Sequence, residues 1–196
     1  MIIDISQEIL SCQVYPGDPR PKAEKLMDMD KGDLYSLSAL SMCVHNGTHI
    51  DAPAHFIKGG KTVDMLPLQA FIGPCWLAEH KGNMTGEEAA HIIKQAEAAG
   101  AARRILISGQ SVITPQAARV FAQGGISLIG VESQSVGPVN APMEVHKILL
   151  SEDIVLLEGL VLKNIPQGKY FLSALPLNIQ GAEGAPCRAY LSGDSL

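Results

Sequence analysis

With 196 residues, 46% of them hydrophobic and 18% charged, the chain can bury a core, which excludes an intrinsically disordered polypeptide. A formal net charge of −5, with no run of Lys or Arg, excludes the basic surface of a nucleic-acid-binding protein and fits a solvated acidic enzyme. No internal repeat, low-complexity tract or linker-like shift in composition divides it, so residues 1–196 read as one domain.

The opening residues, MIIDISQEIL, have no basic n-region, long apolar h-region or small-residue cleavage site. Nowhere do the roughly 18 consecutive apolar residues of a spanning helix occur, so a cytoplasmic protein without membrane contact is expected. Short alternating runs at 2–5 and 37–44 predict strands joined by turns, Pro16-Gly17-Asp18-Pro19 being the clearest turn. The middle reads as helical. Thr85 and Glu88 form a capping box ahead of a helix over 89–99 that Gly100 ends. A buried strand follows at 105–108. Thr114-Pro115 then opens a second helix, because proline is tolerated at the first helical position, and Gly124-Gly125 stops it after Phe121. Residues 126–131 predict another apolar strand, 133–142 a loop, 145–150 a short helix and 154–158 a strand. Further strands are expected near 170–173 and 187–191. Together these predict an α/β domain with a β-rich beginning and end.

Cys12, Cys43, Cys75 and Cys187 form no C-x-x-C pair and read as core thiols; Cys43, two residues ahead of a ligand-type histidine, is also placed to line a site. Residues 45–56 read HNGTHIDAPAHF. Three of the chain's six histidines and one aspartate fall in the first eleven of these, separated by Gly, Pro and Ala instead of solvating Lys or Glu. Imidazole and carboxylate are the common ligands of zinc, manganese and similar ions. A single histidine would more simply satisfy loop hydrogen bonds, but this density favours a metal.

His45 and His49 have helical spacing, yet Gly47 and Pro53 make a helix improbable. In an extended chain His49 and Asp51 share a face, with Ile50 opposite. His45 would then stand about 13 Å away at ~3.3 Å per residue, so Asn46-Gly47 must bend the chain to bring it back. Pro53 can likewise turn His55 towards the site. A second half of the site is needed, and Glu158 is the candidate. It ends the apolar run 154–157, where an unpaired carboxylate would cost several kcal/mol, so it must be paired, protonated or bound to metal. His146 sits on the short helix leading to that strand.

The segment resembles the H-x-G-T-H-x-D-x-P-x-H signature of the cyclase-like metal hydrolases, a family that includes kynurenine formamidases and isatin hydrolases. It matches at every fixed position. The resemblance extends to Asp4-Ile5-Ser6, to Tyr15-Pro16-Gly17-Asp18, to His146 with Glu158 twelve residues on, and to the closing Pro176-Leu177, Gly181 and Pro186-Cys187-Arg188. It implies a swivelling β/β/α fold with a mixed sheet, in a homodimer or homotetramer whose neighbour helps close the site. It also implies that His45, His49 and Asp51 hold one ion, that Asp51 and Glu158 bridge to a second bound by His146, and that His55 moves protons. Tyr15 stands where the kynurenine formamidases typically carry tryptophan against the aromatic substrate, and Glu132 where many relatives carry aspartate. Both departures fall on the substrate side and bear on which molecule is cleaved.

These residues suit hydrolysis of an amide-like carbonyl in a small molecule. One or two divalent ions, zinc foremost and manganese next, would activate water, and His55 would act as acid and base. An N-formyl arylamine of the N-formylkynurenine type, from tryptophan catabolism, is the first substrate class. A lactam or other cyclic amide is the second, and a metal-binding protein without turnover the third. No G-x-S-x-G elbow supports a serine hydrolase. Gly109-Gln110-Ser111 and Gly124-Gly125 read as turns, His80 and His91 as solvated, Trp76 as core, and the methionines from Met27 to Met42 as packing.

Overall fold

The computed structural model describes residues 1–138 and 140–193. Its helix boundaries follow their capping chemistry. Helix α1 (Gly86–Ala98) begins where Thr85 Oγ1 accepts from Glu88 N at 3.2 Å and the Glu88 carboxylate accepts from Thr85 N at 2.8 Å. Helix α2 (Pro115–Gln123) starts on its proline, with Thr114 Oγ1 accepting from Ala117 N. Helix α3 (Met143–Leu150) starts two residues ahead of the expected position. The loop expected over 133–142 precedes it, with Val139 outside the described residues.

In chain order the strands are β1 (Ile2–Asp4), β2 (Lys22–Met27), β3 (Leu37–Ser41), β4 (His49–Asp51), β5 (Ile72–Glu79), β6 (Gly82–Met84), β7 (Arg104–Ser108), β8 (Ser111–Ile113), β9 (Leu128–Val131), β10 (Val155–Glu158), β11 (Gly168–Ser173), β12 (Gly184–Pro186) and β13 (Tyr190–Ser192). Nine of them form one mixed sheet in the order β1-β13-β11-β5-β7-β9-β10-β4-β12. Its centre, β5-β7-β9-β10, is parallel, and the flanks are antiparallel. The apolar runs at the centre reflect burial on both faces. Ile105, Ile107, Ile129 and Leu156 pack beneath the helices, while Leu106, Leu128, Val155 and Leu157 fill a second core on the other face. That second core also takes in Ile5 and Leu191 from one end of the sheet and Ile50 and Ala185 from the other, so the sheet curls.

Alternation on β4 and β10 positions the chemistry. Ile50 and Leu157 enter the second core, which turns His49, Asp51 and Glu158 towards the helix side. Antiparallel pairing sets Glu158 opposite His49 and Leu156 opposite Asp51. Edge strand β12 pairs with the other side of β4, Gly184 lying opposite Asp51.

Several expectations change. The run 37–44 is strand only to Ser41, and it pairs with the unforeseen β2 in a separate hairpin instead of the main sheet. Of the expected strand at 187–191 only Tyr190 and Leu191 are strand, in β13, and the unforeseen β12 ends ahead of it at Pro186. Strand β5, ahead of α1, adds to the expected elements. Met29 is 61% exposed, so the methionines of this stretch are not all packed. His80 is not solvated: its Nδ1 lies 2.8 Å from Ser111 Oγ and its Nε2 3.4 Å from the Glu88 carboxylate. His91 is exposed and Trp76 packs against the helix-side core, as expected. Cys12 and Cys75 are core thiols, whereas Cys43 and Cys187 are half-buried. Among the described residues no helix is long and apolar enough to cross a membrane.

Candidate metal centre

Gly47 makes the bend that the spacing demands. Its φ of +65° is in the left-handed region that glycine tolerates, and Asn46 secures the turn by accepting from Cys43 N at 2.9 Å. The chain doubles back, and His45 Nδ1 comes to 2.8 Å from Asp51 Oδ1. Strand β4 brings His49 Nε2 to 3.4 Å from the same oxygen and 3.5 Å from Glu158 Oε2. From α3, His146 Nε2 lies 3.3 Å from Glu158 Oε1 and 3.6 Å from Asp51 Oδ2. Pro53 starts a 3₁₀ turn, Pro53–His55, which stacks the His55 ring on His45 at 4.1 Å between centroids. His55 Nε2 stays 4.0 Å from Asp51 Oδ2.

Two groups of ligand atoms therefore assemble: His45, His49 and Asp51, and Asp51, His146 and Glu158, with Asp51 common to both. Most of the nitrogen–oxygen separations, 3.3 to 3.6 Å, are long for charge-assisted hydrogen bonds. They match the roughly 3.4 Å between two atoms that each sit about 2.1 Å from one tetrahedral ion. Asp51 Oδ2 is buried and, among the described residues, has no hydrogen-bond partner, an orphan that a cation would satisfy. The donor set and the spacing fit a divalent ion.

The electrostatics point the same way. Burial alone would push His49 down, yet Asp51 and Glu158 raise it to about 10. Burial also opposes the charged forms of His45 and His146, and their carboxylate partners again prevail and raise both. Desolvation acts against ionised Asp51 too, but hydrogen bonds from His45 and His49 hold its carboxyl well below the usual range. The cluster thus attracts cations, whether protons or metal. His55 differs: burial lowers it below its ordinary value. Its side chain is 28% exposed, against 13%, 2% and 4% for His45, His49 and His146, so among these four it offers a base to an incoming molecule.

The putative cyclase family model matches residues 3–138, which carry the whole His45–His55 segment. The chain belongs to the cyclase family. A relative from Salinibacter ruber named kynurenine formamidase is 35% identical, over 97% of this chain and 96% of its own length. One of the same name from Erythrobacter litoralis is 33% identical, over 97% and 93%. A solved structure described as a potential metal-dependent hydrolase with cyclase activity superposes with a TM-score of 0.82 at 29% identity, covering 97% of this chain and 96% of that one. Isatin hydrolase A from Labrenzia aggregata gives a TM-score of 0.82 at 23% identity, over 100% and 94%, a likeness of fold alone. The α/β cyclase fold with its mixed sheet is the one expected.

Within this cyclase-family site the structure sorts the remaining candidates. Tyr15 is half-buried in the turn closed by Asp18 N donating to Tyr15 O. That turn reaches the segment ahead of His45 through Cys43 Sγ, 3.9 Å from the Asp18 carboxylate. Glu132 is not turned to the histidines: its carboxylate accepts from Gly109 N and Leu162 N, and it lines a separate open cavity of about 890 Å³. It ties loops together. Three contributors carried no local signal. Val136 N donates to Glu158 Oε1 at 2.8 Å, Phe56 packs 4.5 Å from both the His55 and His146 rings, and Glu183 reaches His45.

Proposed function

We propose that this chain is a metal-dependent amide hydrolase acting on an N-formyl arylamine of the N-formylkynurenine type. The observation that carries the reading is the set of 3.3 to 3.6 Å separations around the shared carboxylate of Asp51. His45, His49 and Asp51 would hold one divalent ion, and Asp51, His146 and Glu158 a second. When bound, the metal supplies an activated water at neutral pH and an electrophile for the carbonyl oxygen; zinc suits the donor set first and manganese second.

The protein's own residues do the rest. His55, held neutral at pH 7 by burial, accepts a proton from the attacking water and returns it to the departing arylamine nitrogen. Val136 N fixes the Glu158 carboxylate, and Phe56 walls the rings of His55 and His146. Tyr15 presents an aromatic ring to the aryl part of the substrate from the turn beside Cys43. The curated relatives named kynurenine formamidase, at 33–35% identity over nearly the whole chain, favour the formamide over a lactam. The partly buried His55 beside the ligand groups, belonging to neither of them, speaks against a metal store, which has no use for a spare base.

Self-association belongs to the same proposal. The β2–β3 hairpin and its connection expose Leu26, Leu34, Tyr35, Leu37 and Leu40, a concentration of apolar side chains that a homodimer or homotetramer would cover. The four free cysteines suit a reducing cytoplasm. Assaying chelator-stripped protein, with and without added zinc or manganese, against N-formylanilines, lactams and cyclic imides tests the reaction. Metal-dependent turnover of the formanilides supports it. Turnover of lactams alone would replace it with ring opening, and silence across the panel would overturn it.

A further inference from the structure

A histidine ligand needs one ring nitrogen free for the metal and the other held, and the three histidines of the centre meet this in different ways. His49 Nδ1 donates to Gly47 O at 2.9 Å, leaving Nε2 towards the carboxylates. His146 Nδ1 donates to Pro142 O at 2.8 Å, again leaving Nε2. His45 is reversed. Its Nδ1 faces Asp51, and its Nε2 lies 3.3 Å from the Glu183 carboxylate. Glu183 stands far down the chain at the entrance to edge strand β12.

Gly184, the next residue, shapes the same ring's seat. A Cβ there would lie 2.6 Å from His45 Cε1 and 2.8 Å from Ile50 O, closer than real contacts allow. The imidazole lies against the bare backbone of β12, and any side chain at 184 would force the ring or the Ile50 backbone to shift. Backbone bonds fix this segment independently of the Glu183 side chain. Ala52 N donates to Glu183 O and Val63 N to Ala182 O, each at 2.9 Å, and Gly181 N donates to the Asp64 carboxylate. The Glu183 side chain is 46% exposed, and among the described residues its one polar partner is His45.

We propose that Glu183 and Gly184 form a positioning element for His45: the carboxylate holds the ring's Nε2–H so that Nδ1 points at the metal, and the glycine leaves the ring its place. This rests on the metal-dependent reading and deepens it. Glu183 is a positioning residue here, since it acts through His45. Its effect falls on the ion held by His45, His49 and Asp51, and not on one held by Asp51, His146 and Glu158.

The test is zinc affinity of the stripped full-length protein, measured by competition with a chromogenic chelator, alongside the melting temperature of the metal-free form. Glu183→Ala should weaken one class of zinc site about 10- to 100-fold, the usual worth of such an outer partner, with the metal-free melting temperature unchanged. Glu183→Gln, whose amide oxygen can still accept from Nε2, should recover most of the affinity. Gly184→Ala should weaken the same class at least as much. Zinc affinity in Glu183→Ala equal to wild type would overturn the proposal. So would a lowered metal-free melting temperature in that variant, which would make Glu183 a fold contact. A stripped wild-type chain that takes up no zinc would instead overturn the metal reading itself.

Discussion

Replacing His55 with alanine separates an enzyme from a metal store. The side chain belongs to neither group of ligand atoms, and its Nε2 lies 4.0 Å from the nearest Asp51 oxygen, beyond a hydrogen bond. Its removal therefore unpairs no buried partner. What is lost is ring packing, on His45 at 4.1 Å and on Phe56 at 4.5 Å between centroids. At about 0.5–1.5 kcal/mol per aromatic contact, the stability cost is roughly 1–3 kcal/mol, which a folded domain survives. Turnover is another matter. A positioned acid–base group is worth about 10² to 10⁴, or roughly 3 to 5 kcal/mol of barrier. Bound metal per chain and the rate of formanilide hydrolysis, measured on the same sample, should thus part company, metal near wild type and rate down by orders of magnitude. A formanilide whose arylamine leaves easily needs less protonation and should regain part of the lost rate. If metal and rate fall by the same factor, with no dependence on the leaving group, His55 is a ligand and its assigned role is wrong.

Glu158→Gln keeps an oxygen for Val136 N but removes the charge between His49 and His146, so the fold should persist while metal content and turnover drop. Unchanged metal by elemental analysis would refute this. Without metal, His49 at about 10 contributes stability that is complete below its ordinary 6.5 and lost as pH rises through 10. Depressed Asp51 contributes stability present above its ordinary 3.8 and lost as pH falls below it, so the stripped protein should melt highest between these limits and lower towards pH 10. Because that His49 proton must leave before metal binds, zinc affinity should rise with pH between pH 7 and 9; a flat profile would refute the raised His49. Leu26→Lys with Leu40→Lys on the exposed hairpin should convert an oligomer to monomers in light scattering, with the metal-free fold intact.

How much of this was legible in the residues depended on how local the cause was. Thr85 with Glu88 and Thr114 with Pro115 mark helix starts because a cap acts over three positions; both caps hold, although α1 begins at Gly86, three residues ahead of the expected 89. The apolar runs at β7, β9 and β10 are legible because strands buried on both faces leave no room for polar residues. The polar end of such a run, Glu158, stands out for the same reason. Strand β5 was missed: Gly73 and Pro74 are turn signals in sequence, while in the sheet they are held by pairing with Leu172 and Phe171 of β11. Tertiary pairing overrode the local signal.

The site divides along the same line. Residues 45–55 announce themselves because one bend at Gly47 and one turn at Pro53 bring their ligand types together, and both devices are short-range. Glu183 and Gly184 gave no such notice. Their meaning comes from β12 pairing with β4, which sets Gly184 opposite Asp51 across more than a hundred residues of chain. An exposed glutamate followed by a glycine is an ordinary loop in sequence, and becomes a seat for His45 only once the curled sheet closes on its edge. The same closure explains the asymmetry among the three histidines. His49 and His146 find backbone carbonyls within four residues of themselves, so local structure orients them. His45, thrown back by the bend, has no such carbonyl for Nε2 and must borrow its partner from the far end of the chain. Its orientation should then be the last of the three to form as the chain folds, and the zinc site that depends on it should assemble only after β12 has docked.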